Sequence, residues 1–316
     1  MPLREGTLDR ADALRMLRCS PEVFDRLVAA GLSAAVERGE PRFDRMDLFN
    51  LGLYSGSGRS LPELAIGFLA RVAREGVEAW TQPRRWRAEV ELRCPRGEGC
   101  AGGGWRFGRP SPELLGGTLV DLDLPPGCEA DDREVRSPGP GRSFDFAAEL
   151  ISRGRALEVR AGALRDAYLE TVDRFRFQIT PRGLKHSAEQ VRQRGATDCD
   201  GLGMVLAEAC ERAGHEARLE SGFMLGPFGF GHHSWVRVRD ADGEWKALDP
   251  ALPMVAALGG GDTDAFREFC CGSELNRITA CTAPDGYLAH HRCGEEELAP
   301  ELVIKVRALA ADSRDG

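Results

Sequence analysis

Three residues that together could attack a carbonyl stand well apart in this 316-residue chain: Cys199, His233 and Asp249. A thiol becomes a strong nucleophile as its thiolate. An imidazole can take that proton near neutral pH. A carboxylate can hold the imidazole in one tautomer and steady the imidazolium. Such a set would form a thioester with an amide, ester or thioester substrate and then pass the acyl group to water or to an amine.

The neighbouring residues predict how these groups are positioned. Cys199 lies in Arg194-Gly195-Ala196-Thr197-Asp198-Cys199-Asp200-Gly201-Leu202. Leu202, Val205, Leu206 and Ala209 follow it with the spacing of one helix face, and Gly214 is the stop signal. The thiol is therefore expected at a helix N-terminus. Free backbone N–H groups and the helix dipole there favour an anion, so easier ionisation and an oxyanion site are both expected. A strand is predicted from His215 to Phe223, then a loop, Gly226-Pro227-Phe228-Gly229-Phe230-Gly231. From His232 to Val238 the chain alternates as a strand, with His233, Trp235 and Arg237 on one face and Val236 and Val238 on the other. Asp242-Gly243 is a hairpin turn, and the return strand from Glu244 brings Asp249 beside His233. His233 is preferred over His232 as the base because it stands two residues before Trp235 on the same face. Trp235, Phe228, Phe230 and His232 form the expected substrate-binding set, with the loop as a covering flap.

Taken in order, Gly195-x-x-x-Cys199 opening a helix, Ala213-Gly214, Ala217-Arg218, His233-x-Trp235 and Trp245-x-x-Leu248-Asp249-Pro250 resemble the transglutaminase-like superfamily. The intervals fit as well, with 34 residues from Cys199 to His233 and 16 from His233 to Asp249. Phe175-Arg176-Phe177 and His186-Ser187-Ala188-Glu189-Gln190-Val191 are similar to that family's approach to the nucleophile helix. The resemblance covers residues 170–252. It implies an α+β, papain-like core with the nucleophile helix packed on an antiparallel sheet. It also implies Cys199 as nucleophile, His233 as base and Asp249 as the orienting residue, with peptide, protein or small amide and amine substrates. The triad needs no cofactor or metal. Many members supply a side-chain oxyanion donor from upstream, for which Gln178 and Gln193 are the candidates. The alternative is a non-catalytic binding or DNA-linked regulatory protein that uses the fold as a scaffold.

Residues 1–58 read as a small helical unit. Thr7 would cap a first helix carrying Leu8, Ala11, Leu14 and Leu17, and Ser20-Pro21-Glu22 starts a second. A short hairpin over 34–43 precedes a third helix from Met46 to Tyr54. This unit resembles the winged helix-turn-helix of excisionases and mercury-regulator-type proteins, which would imply DNA as a partner through residues 1–58. The second helix, however, carries Glu22, Asp25 and Arg26, a balance that argues for a docking module instead. Residues 59–143 hold an amphipathic helix from Leu61 to Trp80, a β-rich stretch around 88–93, 105–107 and 118–122, and an exposed linker over 125–143. Residues 144–316 form the expected catalytic domain.

The ten cysteines predict other possibilities. Cys270, Cys271, Cys281, His290, His291 and Cys293 fall close together but match no common zinc spacing, so buried thiols are expected. Cys94 and Cys100 could be a ligand pair but lack partners in sequence. Glu295, Glu296 and Glu297 read as a solvated helix start, and Gly259-Gly260-Gly261 as a loop with no phosphate-binding motif around it. A net charge of −8 argues against a chain built to grip nucleic-acid phosphates. A hydrophobic content of 42% can fill a normal core, and no apolar run approaches a membrane span. With no secretory pattern in the first 20 residues, a cytoplasmic protein is expected.

Overall fold

The computed structural model describes residues 7–37, 39–181, 184–185, 187–227, 231–261, 264–282 and 287–310. The chain opens with β1 (Thr7–Leu8), α1 (Arg10–Leu17), α2 (Pro21–Ala29), β2 (Ala34–Glu37), β3 (Glu40–Asp44) and α3 (Arg45–Leu53). Asp9, not Thr7, caps α1, because Thr7 and Leu8 pair with Asp44 and Phe43 as an edge strand. Ala13, Leu17, Phe24, Phe43 and Leu48 give this unit its own small core. In α2, Asp25 is bound by Arg10 of α1 at 2.5 Å.

Next come α4 (Leu61–Val72) and α5 (Val77–Thr81). The predicted single helix breaks at Gly76, whose φ of 92° suits glycine. Trp80 survives as a buried anchor, donating its indole N–H to the Val72 carbonyl at 2.6 Å. Then follow β4 (Arg84–Arg93), β5 (Trp105–Pro110), β6 (Thr118–Asp123), β7 (Glu129–Ala130), β8 (Glu134–Ser137) and β9 (Ser143–Ser152). The stretch expected as an exposed linker thus contains two strands. Val135 is fully buried and β8 pairs with β5, a tertiary contact that a Pro- and Gly-rich segment conceals.

The remaining elements are α6 (Gly162–Arg174), β10 (Arg176–Phe177), α7 (Ala188–Arg194), β11 (Ala196–Thr197), α8 (Cys199–Arg212), β12 (Ala217–Met224), β13 (His232–Arg239), β14 (Trp245–Leu248), α9 (Ala251–Leu258), α10 (Asp264–Phe269), β15 (Cys271–Gly272), β16 (Ile278–Thr282), β17 (Ala289–Cys293), β18 (Glu296–Leu298) and β19 (Glu301–Ala308). Glu296 and Glu297 lie on the short strand β18, since pairing with β17 outweighs their helix preference.

Two antiparallel sheets organise the molecule. The larger runs β15-β14-β13-β12-β16-β5-β17-β18, with β8 and β7 off β5. The smaller runs β19-β4-β9-β6, and β9 pairs along its whole length with β4. The expected boundary at 143 therefore falls where β9 begins. Leu202, Val205, Leu206 and Cys210 form the buried face of α8, which lies on β12 and β13. A Cβ at Gly203 would come within 2.4 Å of Leu219 on β12, so glycine permits this close approach. The result is an α+β, papain-like arrangement with helix α8 on an antiparallel sheet. Among the described residues no helix is long and apolar enough to cross a membrane.

Candidate active site

Helix α8 begins where the sequence predicts. Gly195 ends α7 at φ 68°, and β11 pairs in parallel with β10 to deliver the chain to Asp198. Asp198 is the N-cap, its carboxylate accepting from the Gly201 N–H at 3.3 Å. Gly201 has no spare room, since a Cβ would lie 2.0 Å from the Thr197 hydroxyl oxygen. Cys199 is the first helical residue, half-buried at the edge of the main core.

His233 and Asp249 meet as expected. The imidazole Nε2 lies 2.6 Å from Asp249 Oδ2, with both residues buried. With the carboxylate ionised, Nε2 carries the proton and Nδ1 is the basic atom. The other Asp249 oxygen accepts the N–H groups of Ala251 and Leu252 at 3.1 and 3.2 Å, capping α9. Trp235 stacks beside the His233 ring, with centroids 5.9 Å apart and planes at 20°. It is only 1% exposed, so it sits behind the imidazole, a place suited to positioning the ring.

Cys199, His232 and His233 face one cavity of about 60 Å³. Its other walls are apolar: Ile66 and Leu69 of α4, Phe177 of β10 and Ile179 just after it, Met224 of β12, and Ala251, Leu252 and Val255 of α9. Phe228 and Phe230 lie outside the described residues, as does His186. Gln193 is exposed on α7 and donates to Glu189 at 2.8 Å, away from this cavity. Gln178 stands between two residues that line it.

Sequence reasoning missed a polar cluster around the thiol. Lys185 binds Asp198 at 2.6 Å and Asp200 at 2.7 Å. The Ser234 hydroxyl donates to Asp200 at 2.6 Å, and His232 lies 3.7 Å from the same carboxylate. The Cys199 sulfur, an Asp200 oxygen and a His232 nitrogen all lie within 4.8 Å of one another. His232 begins β13 at the site and is partly exposed. Only the Asp-Cys-Asp triplet hinted at this cluster.

The electrostatics differ from the helix-terminus expectation. Burial pushes the Cys199 thiol well above its ordinary range. Asp200 and Asp198 add to the rise, while Lys185 and the Ser234 backbone N–H oppose it. The carboxylates of the N-cap Asp198 and of Asp200 in the first turn oppose what the free N–H groups would give. Burial also raises Asp200, but His232, Lys185 and the Ser234 hydroxyl outweigh it and hold this carboxyl far below its ordinary range. For Lys185, burial lowers the ammonium, yet the two aspartates prevail and keep it charged. Burial and the two flanking carboxylates thus favour the protonated form of the Cys199 thiol. A thiophilic cation could also bridge Cys199, Asp200 and His232.

Other predicted groupings are redistributed. Cys270 and Cys271 are buried in the main core and Cys281 in that of the smaller sheet. His290 faces Glu297 at 3.1 Å. His291 and Cys293 part from them and join Cys94 and Cys100, the partners the sequence did not reveal.

A helix packed on an antiparallel sheet, with Cys199, His233 and Asp249 gathered near its start, is the setting in which residues 139–250 match the model of the Transglutaminase-like superfamily. Among solved structures, a candidate cysteine protease from Cytophaga hutchinsonii is similar at 12% identity and a TM-score of 0.48, covering 73% of this chain and 93% of its own. The periplasmic domain of TgpA from Pseudomonas aeruginosa bound to ethylmercury aligns at 14% identity and a TM-score of 0.25, covering 58% of this chain and 93% of its own. The same domain in a second structure aligns at 14% identity and a TM-score of 0.27, covering 62% and 95% respectively. No curated protein sequence matches the chain.

Proposed function

We propose that the protein is a cysteine acyltransferase or hydrolase acting on peptide- or amide-type substrates through a thioester. The 2.6 Å contact between His233 and Asp249, in the cavity that also holds Cys199, carries this reading. His233 Nδ1 takes the thiol proton as the sulfur attacks the carbonyl. Asp249 stabilises the imidazolium, which then protonates the leaving amine. The acyl group stays on the sulfur until water or an amine attacks with His233 again as base. The raised thiol favours proton transfer coupled to attack over a stored ion pair. The narrow apolar walls suit an aliphatic segment beside the reacting carbonyl. Gln178 is our candidate for the upstream oxyanion donor.

The test is intact-mass trapping. The wild type, incubated with activated acyl esters and short peptides, should gain one acyl mass on Cys199, and Cys199→Ala should gain none while keeping its fold. Adding a primary amine then separates an amide product from hydrolysis. His233→Ala should lower the acylation rate by about 10²–10⁴-fold. His232→Ala should leave most of that rate. An acyl-enzyme that forms equally in Cys199→Ala, or a greater loss from His232→Ala than from His233→Ala, would refute the assignment.

A further inference from the structure

We propose that Cys94, Cys100, His291 and Cys293 form a structural zinc site that ties the end of β4 to β17. The four ligand atoms lie within 4.8 Å of one another, and all but Cys100 belong to buried residues. The pattern is not readable as a linear motif. Cys94 and Cys100 close the turn Cys94-Pro95-Arg96-Gly97-Glu98-Gly99-Cys100 directly after β4. His291 and Cys293, two apart on β17, project from one face of that strand.

Two of the distances match the edges of a tetrahedral site. Bonds of about 2.3 Å from zinc to sulfur and about 2.05 Å to nitrogen give tetrahedral edges of about 3.8 Å between sulfurs and about 3.5 Å between sulfur and nitrogen. The Cys100 and Cys293 sulfurs are 3.9 Å apart, and Cys100 Sγ lies 3.4 Å from His291 Nε2. A disulfide would draw two sulfurs to about 2.05 Å and leave the third sulfur and the imidazole without a purpose.

The surroundings are those of a ligand set. His291 presents Nε2 to the cluster while Nδ1 faces the Gly104 carbonyl at 3.3 Å, an outer contact that fixes the tautomer a metal needs. Trp105 stacks on the same ring, with centroids 3.7 Å apart, and holds its plane. Backbone N–H groups of Ala101 and Gly102 donate to Cys293 and Cys100 at 3.3 and 3.4 Å. The Arg96 guanidinium approaches Cys293 Sγ at 3.9 Å, opposing the residual negative charge of three thiolates on a divalent ion. Three sulfurs and one nitrogen select zinc over hard cations, and four protein ligands leave no open position, so the ion is structural. Binding releases the thiol protons and adds to folding free energy, here by joining residues 94 and 293.

The experiment uses the full chain. Metal analysis by plasma mass spectrometry should find one zinc per chain in the wild type and in Cys199→Ala, and none in Cys94→Ser or Cys293→Ser. Cobalt exchanged into the wild type should give an intense thiolate-to-cobalt band with tetrahedral visible bands. This readout stands even if the serine variants fail to fold. A strong chelator should lower the wild-type thermal midpoint. No zinc after refolding with the metal, zinc retained in both serine variants, zinc lost on Cys199→Ala, or cobalt bands lacking thiolate character would each overturn the proposal.

Discussion

Asp200 sits one residue after Cys199 and works against its ionisation. It keeps its charge because Lys185, Ser234 and His232 hold it, and that charge helps keep the Cys199 proton in place. A raised thiol stays protonated as the pH climbs through its ordinary range, so thiolate appears only at higher pH. Alkylation of Cys199 by iodoacetamide should therefore be slow at pH 6 and rise steeply above neutrality. Asp200→Asn should speed it at fixed pH, by about tenfold if the shift is one unit. Equal rates in the two proteins would show that this carboxylate does not govern the sulfur. The placement of Cys199, His233 and Asp249 was legible because its signals are local: an apolar helix period after Cys199 and strict alternation through His233 and Trp235. The Lys185 contacts were not, because a lysine in a loop between short elements carries no pattern that foretells two aspartates.

At the scale of elements, the start of α8 is pinned to the upstream segment by Lys185, whose side chain is only 9% exposed. Lys185→Met would leave Asp198 and Asp200 facing each other without a cation. Stability should fall by about 2–3 kcal/mol, below the roughly 3–5 of a fully buried broken pair because Asp200 is partly exposed. Urea unfolding measures this, and an unchanged midpoint would show that the pair is not structural. Elements with strong internal periods, such as α8 and the β13–β14 hairpin, read correctly from sequence. The strands within 125–143 did not, because β8 owes its place to the burial of Val135 and to pairing with β5. The cysteines were misgrouped for a similar reason. Nearness in sequence joined Cys270 and Cys271 to His291, whereas the fold pairs His291 with a turn almost two hundred residues away.

At the scale of the molecule, the last strand closes the small sheet and reaches the site. β19 pairs with β4 from Glu301 to Ala308. On the other side, a Cβ at Gly231 would meet Ile304 at 3.1 Å, so β19 flanks the chain just before His232. Ending the chain after residue 300 should uncover β4 and leave an unpaired edge. The loss of half-buried Leu302, Ile304 and Val306 should cost roughly 3–6 kcal/mol, at about 1–2 for each. Thermal unfolding and size-exclusion chromatography check this. A monomer of wild-type stability would show β19 to be dispensable.

Asp249 serves two masters, a ring and a helix. One oxygen steers the imidazole while the other anchors the first turn of α9, whose Ala251, Leu252 and Val255 wall the cavity. Shape selection and proton handling thus share a single fulcrum. Widening the chamber by sliding α9 would slacken the base in the same movement. Variation in substrate choice among chains built this way has a freer route through the opposite wall, at Ile66 and Leu69, where a change of girth leaves the proton path alone.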